Sequence, residues 1–275
     1  MANTDDTPMT NGLSELSPTL AWPEVDAVPS TAHIYLDSSS NLYCTLKPVI
    51  DLITSVVLLP VVLPCIAVAW VLIKLDSRGP GLYVQTRCGL EATPYRIIKI
   101  RSMKSDDATA KNINWAGKND SRITLVGKIL RALHLDELPQ LFNVIRGEMS
   151  LVGPRPERPE VISAKNLPYQ IPGYMHRMAT RPGVTGLAQV QLPADSDLLS
   201  VRHKVCYDLY YIANQSFWLD MRICAATVLK AFLSPQSLQR VLALPSRDEV
   251  CVQFLELLHP PLTGDETNPA VIPVV

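Results

Sequence analysis

Residues 52–73 read LITSVVLLPVVLPCIAVAWVLI, an uncharged run that lies between Asp51 and Lys74. A helix of this length would be roughly 33 Å long, which is enough to cross the hydrocarbon core of a bilayer. The run is also longer and more uniformly apolar than the core helix of a soluble protein requires. The sequence therefore predicts a membrane helix, which we assign to residues 47–75.

Two prolines, Pro60 and Pro64, interrupt this run. Each removes a backbone donor and crowds the preceding turn, so a sharp bend is expected. A bent helix could enter and leave the membrane on the same face, whereas a straight helix would span it. Lys and Arg are absent before Lys47 and frequent after the run, and this asymmetry alone favours spanning, with the basic side in the cytoplasm. The residues themselves leave both topologies open.

The flanking segments and the overall composition narrow the class of protein. Residues 1–46 carry six acids and no Lys or Arg, which predicts a disordered N-terminal extension. Residues 233–275 are assigned to a C-terminal extension. The net charge of -1 argues against a nucleic-acid binder, because duplex binding usually needs a basic excess. None of the six cysteines forms a C-x-x-C pair, so we expect them to be reduced and mostly buried.

The remaining pattern predicts an α/β fold that is compact and mostly helical, with short strands. Apolar residues alternate in places over 76–110, which is typical of strands, and their spacing is helical over 124–145 and 201–232. Prolines and glycines break the chain over 147–185, where irregular loops are expected. Amphipathic helices near 121–134 and 236–244 are predicted to rest at the membrane interface.

The segment RALHLDELPQLFNVIRGEMSLVGPRPERPE, residues 131–160, contains the densest group of charged residues that could take part in a reaction. Asp136 and Glu137 are adjacent, and Pro139 suits the first turn of a helix. Both carboxylates are therefore placed at a helix N-terminus, where backbone N–H groups also attract phosphate. Neighbouring residues point in different directions, so one acid can act as a nucleophile that the helix terminus keeps ionised, and the other as a metal ligand. Ordinary helix-terminal acids would give the same pattern.

Cations surround this acid pair. Arg155 lies between two prolines, which gives its guanidinium a defined direction, and its planar fork suits phosphate oxygens. Arg131, Lys99 and Arg181 add positive charge. Two acids, several cations and a divalent metal form a set suited to phosphoryl transfer. In such reactions, neutralisation of the phosphate charge is the main contribution to catalysis. Arg146 and Arg158 read more simply as surface salt-bridge residues.

Several known motifs are absent from the sequence. It has no Walker A loop, no dinucleotide-binding G-x-G-x-x-G, no H-E-x-x-H and no G-x-S-x-G. Asp195 and Asp197 form a D-x-D of the kind found in nucleotide-sugar glycosyltransferases. A lone D-x-D is a weak signal, and a polar loop explains it more simply.

The ordered set of segments resembles the monotopic phosphoglycosyltransferases, also called polyprenyl-phosphate hexose-1-phosphate transferases. The similarity covers about residues 47–232, so that residues 76–232 are identified as the catalytic domain. The segments that carry it are IKLDSRGPGLYVQTRCG (73–89), YRIIKIRSMKSD (95–106), LDELPQLFNVIRGEMSLVGPRP (135–156), RPGVTGLAQVQ (181–191) and YDLYYIANQSFWLDMRI (207–223).

The resemblance implies a two-step reaction. Asp136 would attack the sugar-bearing phosphate of a UDP-sugar and release UMP, and undecaprenyl phosphate would then collect the phosphosugar. Glu137 would bind Mg²⁺ together with Asp136. Lys99, Arg131 and Arg155 would contact phosphates.

Two further residues, Arg181 and Asp220, would bind the nucleotide or hold the site together. The family also implies a re-entrant helix, broken at a proline that corresponds to Pro64, with Pro60 adding to the bend. Leu63 replaces the serine that usually precedes this proline. The protein is then expected at the cytoplasmic face of the bacterial inner membrane, with membrane lipid, UDP-sugar and undecaprenyl phosphate as partners. A homodimer is left open.

Two other functions stay open beside this one. A metal-dependent glycosyltransferase that uses Asp195 and Asp197 would release UDP rather than UMP. A membrane scaffold of a polysaccharide assembly complex would perform no chemistry, although both Asp136 and Glu137 are present.

Overall fold

The computed structural model describes residues 42–104, 122–230 and 232–254. The first element is a long helix, α1 (Leu42–Asp76), followed by the strands β1 (Leu82–Cys88) and β2 (Pro94–Ile100). A 3₁₀ turn over Leu90–Ala92 joins these strands, which pair antiparallel from Leu82 opposite Ile100 to Cys88 opposite Pro94. The predicted strands in this part of the chain are confirmed.

The middle of the chain alternates short helices with two very short strands. Its elements are α2 (Leu125–Ala132), the acidic 3₁₀ helix (Leu135–Gln140), α3 (Leu141–Ile145), β3 (Ser150–Val152), α4 (Pro159–Ala164), α5 (Leu167–Gln170), a 3₁₀ helix (Tyr174–Met178), β4 (Gly183–Thr185) and α6 (Leu187–Gln191). Strands β3 and β4 pair in parallel, which the expectation of irregular loops over 147–185 missed. The backbones approach so closely that a Cβ on Gly183 would lie 2.1 Å from the amide nitrogen of Gly153.

The C-terminal part is helical, with α7 (Leu198–Ala213), α8 (Phe217–Leu229), α9 (Pro235–Val241) and α10 (Arg247–Gln253). The helix predicted over 201–232 is divided in two because Ser216 caps α8, its hydroxyl accepting from the amide of Leu219. Helices α7 and α8 contribute much of the largest core, in which Tyr207 and Ile223 are fully buried. The predicted mostly helical fold with short strands is confirmed for the described residues.

Helix α1 is buried most deeply near its two ends. Lys47, Asp51 and Ser55 are buried at successive i, i+4 positions, and Ala69 and Ile73 are buried near the other end. Between residues 56 and 68 no side chain of this helix is buried. By length and composition, α1 is the one helix in the described part of the chain that could cross a membrane.

The helix assignment of α1 differs in detail from the prediction. It begins at Leu42, ahead of the predicted start at residue 47, so residues 42–46 are helical rather than part of the disordered extension. It also continues through Pro60 and Pro64 without interruption, so the predicted break of the helix at these prolines is not observed. The predicted disorder of residues 1–41 lies outside the described residues, as do residues 255–275 of the C-terminal extension. All six cysteines are free thiols.

The two helices predicted at the interface are present as short segments. In α2, Leu130 is buried while Leu125 and Ile129 are exposed, so the helix has an apolar solvent-facing side as well as a core-facing one. In α9, Leu238 is buried and Val241 is exposed. Their location at a membrane stays a prediction.

Candidate active site

The acid pair lies in the first turn of the acidic 3₁₀ helix, as predicted, with Pro139 inside that helix. The preceding residue, His134, adopts a left-handed conformation with φ of 55°, which turns the chain sharply out of α2. Asp136 and Glu137 are each only 9% exposed. Two adjacent carboxylates are therefore held in a largely buried position, where each needs a compensating charge.

Glu137 obtains that compensation from two cations. Its Oε1 atom accepts from Lys99 Nζ at 2.7 Å and from Arg155 Nη2 at 2.8 Å. Burial alone would raise the pKa of Glu137, but the charges and hydrogen bonds of Arg155 and Lys99 outweigh it and hold the pKa well below its usual range. Lys99 is on β2, so the hairpin and the acidic 3₁₀ helix are joined at this point.

Asp136 differs from its neighbour. The described residues include no hydrogen-bond donor to its carboxylate. Burial and the negative charge of Glu137 raise its pKa, opposed by the charges of Lys99, Arg131 and Arg155. Burial and the like charge outweigh the neighbouring cations in setting the direction of this pKa shift. The expected ionised nucleophile stays a prediction. Asp136 is therefore an acid without a hydrogen-bond donor among the described residues.

Arg155 is directed at Glu137 by a rigid backbone segment. Four consecutive carbonyl groups, those of residues 154–157, each accept a hydrogen bond from another part of the fold. The carbonyl of Arg155 itself accepts from Arg177 Nη2 at 3.0 Å, and that of Pro156 from Arg87 Nη1 at 3.0 Å. The predicted fixed direction of the guanidinium thus depends on these contacts as well as on the flanking prolines.

Asp220 contacts the N-terminal end of α1, and Arg181 lines a cavity beside that end. Asp220 pairs with Lys47 and accepts from the Tyr211 hydroxyl at 2.8 Å. Arg181 donates from Nε to the Gly147 carbonyl at 2.9 Å and lines a cavity of about 260 Å³ together with Lys47. Both predicted roles of these residues, nucleotide binding and holding the site together, stay predictions.

Sequence reasoning missed a buried group of charges that we call the arginine cluster, made of Arg177, Asp208, Glu157, Lys204 and Asp195. Arg177 binds Asp208 through Nη2 at 2.6 Å and Nε at 3.0 Å, and both side chains are 2% exposed. Lys204 contacts both Glu157 and Asp195. The pair Arg177–Asp208 is 31 residues apart, so no local spacing could have revealed it.

A second missed residue is Asn143 on α3. Its side chain donates to the Arg96 carbonyl at 2.8 Å and accepts from the amide of Ile98 at 3.1 Å. The side chain is fully buried. Its bonds to strand β2 hold that strand, and therefore Lys99, beside the acidic 3₁₀ helix. Its one sequence signal is a polar residue in an otherwise apolar stretch.

The profile of the family described as bacterial sugar transferase matches residues 42–234. This chain belongs to that family. The match includes both acids, all the cations of the site and helix α1, so the resemblance stated from the motifs is confirmed.

Three relatives illustrate the similarity of this bacterial sugar transferase to known proteins. A UDP-N-acetylgalactosamine-undecaprenyl-phosphate N-acetylgalactosaminephosphotransferase of Aeromonas hydrophila is 40% identical over 189 residues, which are 69% of this chain and 44% of the relative. A UDP-glucose:undecaprenyl-phosphate glucose-1-phosphate transferase of Klebsiella pneumoniae is 39% identical over 215 residues, 77% of this chain and 45% of the relative. The exopolysaccharide production protein PSS of Rhizobium leguminosarum bv. phaseoli is 42% identical over 188 residues, 67% of this chain and 94% of the relative. The chain thus spans about half the length of the first two relatives.

Both aspartates of the D-x-D motif of this bacterial sugar transferase make structural contacts. Asp195 pairs with Lys204 at 2.8 Å in the arginine cluster. Asp197 caps α7 by accepting from the amide of Ser200 at 2.7 Å, within a capping box. Neither carboxylate is left for a metal-bound nucleotide without losing these contacts, which weighs against the glycosyltransferase alternative.

The acid pair fits Mg²⁺ by its chemistry. Mg²⁺ prefers oxygen ligands and is usually bound by one or two carboxylates completed by water and substrate phosphates. Asp136 has uncommitted oxygens, whereas Glu137 would share its carboxylate with Lys99 and Arg155. The described residues contain no cluster of three or more His, Cys, Asp or Glu side chains, so a substrate would have to supply further ligands.

Proposed function

We propose that this bacterial sugar transferase moves a sugar-1-phosphate from a UDP-sugar to undecaprenyl phosphate and releases UMP. The observation that carries the proposal is the arrangement of the acid pair: Asp136 has no committed partner, while Glu137 beside it is bound by Lys99 and Arg155. The names of the relatives, which specify undecaprenyl phosphate and a UDP-sugar, support the same substrates.

The proposed first step uses Asp136 as the nucleophile. A carboxylate oxygen of Asp136 attacks the phosphorus that carries the sugar, and the bond from this phosphorus to the bridging oxygen breaks. UMP leaves with that electron pair, and the sugar phosphate is joined to the aspartate as an acyl phosphate. Arg155, held by its backbone, and Lys99 stabilise the negative charge on the transferring phosphoryl group.

The second step regenerates the enzyme. An oxygen of undecaprenyl phosphate attacks the same phosphorus, and the bond between the phosphorus and the aspartyl oxygen breaks. The product is an undecaprenyl diphosphate sugar, and the Asp136 carboxylate is free again. Mg²⁺ held by Asp136 and Glu137 would neutralise phosphate charge and orient the diphosphate. This reaction would start the assembly of a surface polysaccharide or glycoconjugate.

We also propose that α1 is re-entrant and that the catalytic part lies at the cytoplasmic face of the inner membrane. The support is that both ends of α1 pack on the same folded unit. Asp51 accepts from the Ser150 hydroxyl at 2.6 Å near one end, and Ile73 packs with Leu130 near the other. A spanning helix would place its ends on opposite sides of a core about 30 Å thick.

A protease site inserted before Leu42 tests this topology in sealed vesicles of known orientation. The re-entrant arrangement predicts cleavage from the side on which the catalytic part is exposed. Cleavage from the opposite side would establish a spanning helix instead.

The nucleotide product tests the reaction itself. Purified full-length protein is mixed with Mg²⁺, undecaprenyl phosphate and a panel of UDP-sugars. The proposal predicts UMP release that requires the lipid acceptor for sustained turnover, and the active donor identifies the sugar. Release of UDP would contradict it and would direct attention to Asp195 and Asp197, and an absence of any product across the panel would favour a scaffold.

A further inference from the structure

The charges of the acid pair and its two cations sum to zero. Asp136 and Glu137 contribute two negative charges when ionised, and Lys99 and Arg155 contribute two positive ones. A phosphate monoester that enters this site brings up to two further negative charges in a poorly solvated location, so additional cations are needed to bind it. Arg131, whose charge acts on Asp136, is one such cation and was already expected to contact phosphate.

Lys230 is a second such cation, and no sequence motif pointed to it. It caps the C-terminal end of α8, and its Nζ atom donates to the carbonyl of Gln189 in α6. Helix α6 follows directly after β4, where the Thr185 carbonyl accepts from the amide of Gly153 at 2.9 Å, two residues before Arg155. The chain from β4 to α6 thus connects the contact of Lys230 with the segment that carries Arg155.

The electrostatic environment agrees with this placement. Burial lowers the pKa of Lys230, the positive charge of Arg155 lowers it further, and the charge of Glu137 opposes both. Lys230 in turn lowers the pKa of His134, the residue that precedes the acidic 3₁₀ helix. In the described part of the chain no carboxylate pairs with Lys230, whereas Lys99 and Arg155 are both bound to Glu137.

Lys230 also lies at the end of an apolar strip on the exposed face of α8. This strip consists of Trp218, Met221 and Val228, which are 69%, 40% and 71% exposed, and continues to Phe232 at 82%. Of the charged residues of α8, Asp220 is buried against Lys47, whereas Arg222 is exposed beside the strip and donates to the Ala243 carbonyl.

The strip is continuous with the helix that is apolar enough for a membrane. At the start of α8, the ring of Phe217 packs edge-on against Tyr43 of α1, with centroids 6.4 Å apart. Trp side chains are favoured at membrane interfaces, and the residues of the strip are themselves uncharged. The strip thus leads from α1 towards Lys230 and the acid pair.

We propose that Lys230 binds the phosphate of the lipid acceptor, with the adjoining isoprenoid units lying along the apolar strip at Val228 and Phe232. This inference rests on the proposed function, because it assigns a residue to the second of its two steps. A phosphate of the soluble donor has the same chemistry, but the donor has no apolar chain that would match the strip. Lys230 would therefore act on acceptor binding rather than on formation of the aspartyl intermediate.

The two half-reactions separate these substrates. Full-length protein in detergent is first mixed with a UDP-sugar that the wild type accepts, without acceptor, and the burst of UMP is measured. Steady-state turnover is then measured against undecaprenyl phosphate concentration. Lys230→Met should raise the KM for undecaprenyl phosphate by about tenfold or more, as expected for loss of one charge-assisted hydrogen bond. The UMP burst should stay within about twofold of the wild type, and Lys230→Arg should recover most of the acceptor affinity, because it restores the charge.

Lys165→Met is the matched control, because Lys165 likewise caps the C-terminal end of a short helix, α4. It should leave both half-reactions unchanged. A smaller burst with an unchanged acceptor KM would overturn the proposal and assign Lys230 to the donor. No change in either half-reaction, or a parallel loss in both that Lys230→Arg does not recover, would also overturn it. If the wild type itself gives no burst, the covalent step of the proposed function fails, and the acceptor KM still decides the role of Lys230.

Discussion

The acid pair with its cations and the arginine cluster are both buried groups of opposite charges, but they differ in how completely the charges are paired. In the arginine cluster, Asp208 is held by two hydrogen bonds from Arg177, whose side chain is 2% exposed. At the acid pair, Glu137 is similarly satisfied, yet Asp136 beside it lacks a described donor, and the Arg155 side chain is 37% exposed.

This difference separates a structural ion cluster from a reactive one. A buried charge that is fully paired stabilises one packing arrangement and has no capacity left for a substrate. A buried acid without a partner raises the free energy of the resting protein and is available to a ligand. Shifted pKa values alone would not distinguish the two regions. The unpaired Asp136 and the accessible side chain of Arg155 do.

The largest effect is expected from substitution of Asp136, which disrupts the acid pair and leaves the arginine cluster unchanged. Asp136→Asn preserves shape and removes the nucleophilic oxygen charge, so UMP release should fall by about four orders of magnitude or more. Thermal unfolding of the variant in detergent should resemble that of the wild type. Asp195→Asn is the matched control and should still release UMP; full activity of Asp136→Asn would remove the nucleophile assignment.

The second prediction concerns Arg155, the accessible cation. Arg155→Ala should lower turnover by about 10²- to 10³-fold, because it removes a donor directed at the transferring phosphoryl group. Arg158→Ala removes a similar guanidinium at the start of α4 and should cost much less. The comparison is made on initial rates at saturating UDP-sugar, and equal losses in the two variants would contradict the phosphate role of Arg155.

The third prediction addresses the paired region. Arg177→Met leaves Asp208 as a buried charge without a partner, which should cost about 3–5 kcal/mol of unfolding free energy. The double variant Arg177→Met/Asp208→Leu should recover part of that loss, because no unpaired charge remains. Unfolding midpoints in a fixed detergent give the comparison. If the double variant were less stable than the single one, the pair would not be the simple structural contact described.

The smallest expected effect is on pH dependence. Since burial and Glu137 raise the pKa of Asp136, the UMP burst should decline as the pH falls through a value above that of an ordinary aspartate. Arg131→Met removes a charge that lowers this pKa, so the acidic limb should move to higher pH. Arg146→Met, at an exposed position, serves as the control. A limb that moves to lower pH in Arg131→Met would place Arg131 away from Asp136.

Some of this architecture follows from local sequence alone. The long uncharged run determines an apolar helix because its length and composition suffice, and alternation of apolar residues determines the hairpin. The acids lie in the first turn of a helix as the sequence predicted, although Pro139 lies near the end of that 3₁₀ helix and not in its first turn. The ordered motifs were enough to identify the family.

Tertiary packing decided the rest. Lys99 and Glu137 are 38 residues apart, and Arg177 and Asp208 are 31 apart, so no helical or strand period relates them. Whether Asp195 is a metal ligand or a structural partner depended on where Lys204 lies. The direction of the Asp136 pKa likewise depends on burial and on neighbouring charges. Local patterns specify which elements form, but only the packing of distant elements decides which charges are paired, and the unpaired charge is the one available for chemistry.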